Sequence, residues 1–310
     1  MSNPILFDII DASLVDKFSD NFLSSYNNTE YFSHRSDILT NPDVFCENIR
    51  SKSQTYLRFD LFKKKSNAKY KVFPLPLELF EFNGIGYKIS SIIDNICTVF
   101  SDDIIIFYWN HDNDCSNYFT QLKSKNYKII NFGYTKIKNK NDITVPFYNI
   151  NTKHYIEDKK YNCSFMGSPN NYLRLSLINS IKTYNNFFVN FDKSTEEEFL
   201  KITSSSIFTL CPRGGSNDGG FSYRFFECMH LNTIPIIFSD NLVYPYEDLD
   251  WNLLHIRYPE NRITDLESIK NELEQIDTEK FLNYINANRK RFTLGGVQEE
   301  VYNALKDFKI

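Results

Sequence analysis

The sequence of 310 residues is short of several things, and each shortage excludes something. Its six cysteines, Cys46, Cys97, Cys115, Cys163, Cys211 and Cys228, are scattered, with none of the paired spacing of zinc ligands. Most stand in apolar surroundings, where a free cysteine behaves as a small hydrophobe, so reduced thiols in an intracellular protein are expected. No lysine- or arginine-rich block stands out beyond Lys63–Lys65, and the formal net charge is −4. That speaks against nucleic acid as the main partner, because binding to a phosphate backbone leaves a basic footprint. A compact site for a charged small molecule stays open. No apolar run approaches the roughly 20 residues needed to span a bilayer. The opening stretch MSNPILFDIIDASLVDKF carries acids among its apolar residues and has no basic lead, unlike a signal peptide. No transmembrane segment and a cytoplasmic location are therefore expected, with the Asn27 and Asn162 glycosylation triplets incidental. Tandem repeats and low-complexity segments are also lacking.

What is present is a chain long enough for two domains, each with its own core. Residues 1–60 are unclear: Leu14–Ser25 and Val44–Ser51 suit short helices and Thr55–Phe62 a strand, with poor turn signals. From Tyr70 the pattern alternates. A strand at Tyr70–Phe73 precedes a helix over Tyr87–Val99, whose Ile89, Ile92, Ile93 and Ile96 fall at helical spacing. The run Asp103–Trp109 reads as a buried parallel strand. A helix over Ser116–Lys125 and strands at Lys128–Phe132 and Asp142–Phe147 follow. The polar stretch Tyr148–Lys160 reads as a linker.

The alternation then restarts with a strand at Cys163–Met166, a helix through Leu173 and Leu177, and a strand at Phe187–Phe191. Ser194 or Thr195 with Glu197 or Glu198 forms a capping-box signature for the next helix. Strand Ile207–Leu210, a helix over Ser222–Leu231, a left-handed stop at Asn232 and strand Ile234–Phe238 come next. Thr264 and Glu267 suit the cap of a helix to about Ile276, and two more helices complete the tail. The expected fold class is α/β, with two Rossmann-like domains facing across a cleft. Their spans are 1–150 and 151–310, the second ending in a helical tail.

The stretch Phe208–Trp251 says most about chemistry: a strand, a glycine-rich loop with Arg213 and Gly214, a helix with Arg224 and Glu227, and a second strand. Small residues let main-chain N–H groups approach an anion, and arginine can hold two phosphate oxygens at once. Arg224 and Glu227, three apart, share a helix face, as the phosphate and sugar ends of a nucleotide would require. The bland alternatives are a flexible surface loop and a solvated Arg–Glu pair worth well under about 1 kcal/mol.

Cys211-Pro212-Arg213-Gly214, Ser222-x-Arg224-x-x-Glu227, Ile234-Pro235, Asp240, Pro245 and Trp251 together resemble the signature of exostosin-like glycosyltransferases, glycosyltransferase family 47. Ser164–Gly167 with Arg174, and Asp142 with Pro146, agree with it. The resemblance covers about 142–251. It implies a GT-B-like fold in which 1–150 holds the acceptor and 151–310 binds the nucleotide-sugar, a nucleoside-diphosphate-sugar donor, UDP-sugar as first choice, and transfer with inversion to a glycan or glycosylated acceptor. It also implies that Arg213 and Arg224 face the diphosphate, that Glu227 meets the ribose, that Ser222 orients a phosphate or the helix start, and that Gly167 lets the donor approach.

No cofactor beyond that donor is required on this reading. Divalent metal is left open, since Asp112-Asn113-Asp114 and Asp248-Leu249-Asp250 match a short Asp-x-Asp pattern that arises often by chance. The chain departs from the family in having Asn232-Thr233 before the Ile-Pro strand and Ser216-Asn217-Asp218 extending the loop. An inverting displacement needs a base. Asp112, after strand Asp103–Trp109, is the first choice, with Asp114, His111 and Glu78 as rivals; a solvated turn is the plain alternative. Tyr87, Tyr108 and Trp109 suit either sugar stacking or the core, the core being preferred. A fold that keeps glycan or nucleotide binding without transfer is the second hypothesis. A dinucleotide oxidoreductase is the third, and it lacks the Gly-x-Gly-x-x-Gly turn.

Overall fold

The computed structural model describes residues 5–10, 62–64, 68–73, 77, 80, 84, 86–109, 116–131, 140–146, 156–181, 187–192, 194–213, 221–240 and 242–306. The helices and strand expected within 14–62 lie outside this set except at Phe62 itself. The chain divides into two compact units, one of residues 1–145 with 298–310 and one of residues 146–297.

The first unit holds a parallel sheet of six strands: β1 (Ile5–Ile9), β2 (Phe62–Lys64), β3 (Tyr70–Val72), β4 (Ile104–Trp109), β5 (Tyr127–Asn131) and β6 (Asp142–Thr144). Its order is β2-β1-β3-β4-β5-β6. Helix α1 (Ile89–Val99) buries Ile89, Ile92, Ile93 and Ile96 completely, the stripe its spacing predicts. These pack with Phe73, Phe107 and Trp109 in one core. The Asn126 side chain ties the turn between α1 and β4 by donating to the carbonyls of Cys97, Phe100 and Asp103. Helix α2 (Ser116–Phe119) is much shorter than the expected Ser116–Lys125. The reason is tertiary: the Asp94 carboxylate accepts from the backbone N–H groups of Lys123 and Ser124 and captures the chain there.

The second unit holds a parallel sheet of β7 (Tyr161–Met166), β8 (Phe187–Asn190), β9 (Ser206–Leu210), β10 (Ile234–Phe238) and β11 (Ile256–Tyr258), in the order β11-β10-β9-β7-β8. Helix α3 (Tyr172–Ile181) links β7 to β8, α4 (Glu196–Ser204) links β8 to β9, and α5 (Tyr223–Cys228) lies between β9 and β10. Thr195 caps α4 in a full capping box with Glu198. Asn232 adopts φ 51°, the left-handed stop expected before β10. The Lys159 ammonium donates to the carbonyls of Ser204, Ser206 and Asn232, closing the opposite ends of these crossovers.

The expected cap at Thr264 with Glu267 is not what forms. A 3-10 turn over Glu260–Thr264 runs into α6 (Leu266–Leu273), whose N-cap is Asp265, with no side-chain cap bond. Helices α7 (Thr278–Asn288) and α8 (Leu294–Lys306) end the described chain. Residues from 298 onward belong with the first unit, where the Tyr70 hydroxyl of β3 donates to the Leu305 carbonyl at 2.8 Å.

Candidate functional site

The chain reverses direction across the second sheet at β7. It moves to β8 on one side, then returns to β9 on the other. In open parallel sheets ligands bind beyond the carboxyl ends of the strands at such a reversal. The loops there carry Gly167 after β7 and Arg213 after β9, with α5 following. Gly214 lies outside the described residues.

Helix α5 is six residues long, shorter than the expected Ser222–Leu231, so side chains rather than a helix dipole must supply any hold on an anion. Phe225, Phe226 and Cys228 are its buried face. Phe225 packs against Trp251, which stacks on Tyr244 with ring centroids 4.7 Å apart. This aromatic core fixes the rotation of α5 and leaves half-buried Arg224 and Glu227 on another face. Trp251, a residue of the family-like signature, thus acts through packing.

The Arg224 guanidinium lies over the rings of Phe165 (5.1 Å) and Phe199 (5.6 Å). It also lies against Gly167, where an added Cβ would come within 2.8 Å of Nη2. Gly167 therefore makes room for the Arg224 side chain directly. Arg224 Nε and Nη1 are buried and have no hydrogen-bond partner. The Ser222 hydroxyl, two residues earlier, is also buried and unpartnered, and it does not cap its own helix. Buried polar groups are nearly always paired, so two such groups only two residues apart call for an explanation. Burial raises the Glu227 carboxyl above its ordinary pKa; Arg224 pulls it down and Glu196 pushes it up, each less strongly.

Arg213 is differently placed. It is 2% exposed, Nε donates to Glu260 Oε1 at 3.1 Å, and Nη2 donates to the Tyr172 hydroxyl oxygen at 3.2 Å. Its own carbonyl accepts from Asn171 Nδ2 and Arg174 Nε, at 2.8 and 3.1 Å. Arg174 Nη1 also donates to the Ser168 carbonyl, so one buried side chain ties the β7 loop to the β9 loop. Burial, and after it the charge of Arg224, lowers the Arg174 guanidinium to about 10, so it remains a cation at neutral pH. The sequence reading missed Glu260 and Tyr172. The signal available was the short run Ile256-Arg257-Tyr258-Pro259, a fifth strand whose end delivers Glu260 to the same edge.

The remaining candidates sort as follows. Asp112, Asp114, His111 and Glu78 lie outside the described residues. Asp248 is engaged by Arg291, whose Nη2 donates at 2.9 Å, and the Asp250 carboxylate caps the 3-10 turn Trp251–Leu253. Among the described residues no group of three or more His, Cys, Asp or Glu side chains is placed to hold a metal ion. Trp109 is fully buried, as preferred, whereas Tyr87 is 77% exposed and contributes nothing to the core. Cys97, Cys163, Cys211 and Cys228 are free and buried. Among the described residues no helix is long and apolar enough to cross a membrane.

The family model for the exostosin GT47 domain matches residues 98–273, more than half of the chain. The chain belongs to this family. The match starts at the end of α1 and runs through α6, so it includes both strand-end loops described above. The α/β, GT-B-like class expected from the sequence agrees with the two parallel sheets. Similar solved structures include the GtfA/B complex, at 10% identity and TM-score 0.47, matching 85% of this chain and 59% of that one. A glycosyltransferase from Rickettsia africae ESF-5 is 10% identical with TM-score 0.46, over 99% of this exostosin-family chain and 100% of its own. Anabaena Alr3699/HepE, solved in complex with UDP and glucose, is 9% identical with TM-score 0.46 over the same shares. The chain thus spans 59% of the length of the first of these.

Proposed function

We propose that this exostosin-family chain is a glycosyltransferase that moves a sugar from a nucleoside-diphosphate sugar, UDP-sugar as first choice, to a glycan or glycosylated acceptor, with inversion at the anomeric carbon. The observation that carries this reading is the set of buried, unpartnered atoms Ser222 Oγ and Arg224 Nε and Nη1 on the helix that follows β9, with Glu227 one turn on. A diphosphate supplies the acceptors that both groups lack. Ribose hydroxyls supply donors for the Glu227 carboxylate.

In this mechanism Arg224 and Ser222 stabilise negative charge as it grows on the leaving diphosphate. Preorganised donors of this kind are each worth about 10²–10³ in rate. The Gly167 backbone keeps the space in which the guanidinium sits. Arg213 borders the site from the β9 loop, and Gly214 is assigned to donor binding by the family-like signature alone. With guanidinium and hydroxyl donors in these roles, a divalent cation is not required for departure of the diphosphate. Asp112 takes the proton of the acceptor hydroxyl as that oxygen attacks. Retention of transfer within about tenfold of the parent in Asp112→Asn would remove it from that role.

The test is a thermal-shift panel with UDP, GDP, ADP and UDP-sugars. A nucleotide at 100 times its dissociation constant should stabilise the fold by about 2.7 kcal/mol. UDP and UDP-sugars are expected to give the largest shift, and no shift with any nucleotide would overturn the reading. Hydrolysis of the responding UDP-sugar without acceptor then separates a transferase from a binding protein.

A further inference from the structure

The sequence pattern gives Arg213 and Arg224 the same role, but the structure treats them differently. Arg213 is 2% exposed and both ends of the residue are held. Its guanidinium donates to Glu260 Oε1 and to the Tyr172 hydroxyl oxygen, and its carbonyl accepts from Asn171 and Arg174. The Tyr172 hydroxyl in turn donates to Glu260 Oε2 at 2.6 Å, and the Arg213 guanidinium lies 5.4 Å from the centre of the Tyr172 ring. Both Glu260 oxygens are thereby used, one by each partner, so the three side chains close a ring of hydrogen bonds. That ring joins the loop after β9, the first turn of α3 and the segment after β11. A guanidinium neutralised in this way offers little attraction to a second anion, because a ligand would first have to displace a half-buried, hydrogen-bonded carboxylate.

We propose that Arg213, Glu260 and Tyr172 form a positioning clamp that sets the loop after β9, and that Arg213 is not itself a ligand of the diphosphate. The inference rests on the nucleotide-donor reading above and refines it by leaving Arg224 as the guanidinium that meets the anion. Glu260 is then a positioning residue for donor binding, acting through Arg213. It lies 47 residues further along the chain than its partner.

A charge swap tests this, with affinity for UDP measured by calorimetric titration. Arg213→Glu and Glu260→Arg are each expected to weaken UDP binding about tenfold or more, by letting the loop shift. The double variant carrying both changes is expected to return to within about threefold of the parent, since the reversed pair rebuilds the clamp. If the double variant binds UDP no better than Arg213→Glu alone, Arg213 contacts the anion and the proposal fails. Should the swap not fold, Glu260→Gln and Arg213→Gln answer the same question. The clamp predicts weakening in both, by factors within about threefold of each other. Tighter UDP binding in Glu260→Gln would show that Glu260 only masks Arg213, and would overturn the clamp. The titration of the unsubstituted protein with UDP bears on the donor reading alone, so a failure of that reading is seen in a different protein from a failure of rescue.

Discussion

Two guanidiniums at the same edge of the second sheet show what burial means with and without partners. Arg213 is more deeply buried, yet its charge is met by Glu260 and its donors by Tyr172. Arg224 lies between two phenylalanine rings and a glycine, with Nε and Nη1 unpaired. An unsatisfied buried polar group costs about 1–3 kcal/mol, more when charged. A chain that carries such a group beside an unpaired Ser222 hydroxyl is less stable there than it could be. The region that is fully satisfied holds the loops in place, and the region that is not is the one proposed to meet the donor.

The strongest way to break this contrast is Arg224→Met. Loss of nucleotide-dependent activity by about 10²–10³ is expected, with little change in the melting temperature of the free protein, because the unpaired Nε and Nη1 are removed while Glu227 loses a neighbouring positive charge. Steady-state kinetics beside a thermal melt check both halves. A fall in melting temperature with activity intact would reverse the assignment. Gly167→Ala comes next. Its new Cβ would sit 2.8 Å from Arg224 Nη2, the mobile end of a long side chain, so the guanidinium is displaced. UDP affinity should fall about tenfold, and stability by about 1–3 kcal/mol, because Gly167 stands at φ 158°, a backbone conformation that residues with a side chain rarely adopt.

The smallest effect concerns Glu227. Its carboxyl pKa is raised in the folded protein above the ordinary 4.5, so the native state holds that proton more tightly than the unfolded chain does. Stability from this group is then lost as pH rises from 4.5 through the folded value. Glu227→Gln, neutral at every pH, should gain in melting temperature over the parent as pH rises through that window and gain nothing below it. Melts across a pH series read this directly, and an advantage that shrinks with rising pH would contradict it.

Much of the second unit was legible from local pattern. Strand Ile234–Phe238 has the bounds its apolar run predicts, the Thr195–Glu198 box caps α4, and Asn232 turns left-handed where expected. Each of these signals is complete within a few residues of sequence. What escaped depends on distant partners. β1 becomes a strand by pairing with β2 and β3, with Phe7 opposite both Lys64 and Tyr70. β11 is three residues long and is defined by its register on β10. The early end of α2 depends on Asp94, far back in α1. The site divides in the same way. Arg213, Ser222, Arg224 and Glu227 were readable from their spacing, whereas the engagement of Arg213 by Glu260 is a contact between segments that no local pattern encodes.

The hydrogen bond from Tyr70 to the Leu305 carbonyl has a consequence for how the protein is made. The second unit is one uninterrupted run of residues, 146–297, and can fold as soon as it leaves the ribosome. The first unit is divided. Its strands emerge early, but the last turns of α8, which give Tyr70 its partner, are synthesised only after the whole second unit. The unit that begins earlier in the chain is therefore completed after the one that follows it. A ribosome that stops before Leu305 releases a chain whose first sheet lacks this hydrogen bond, even with all six of its strands already made.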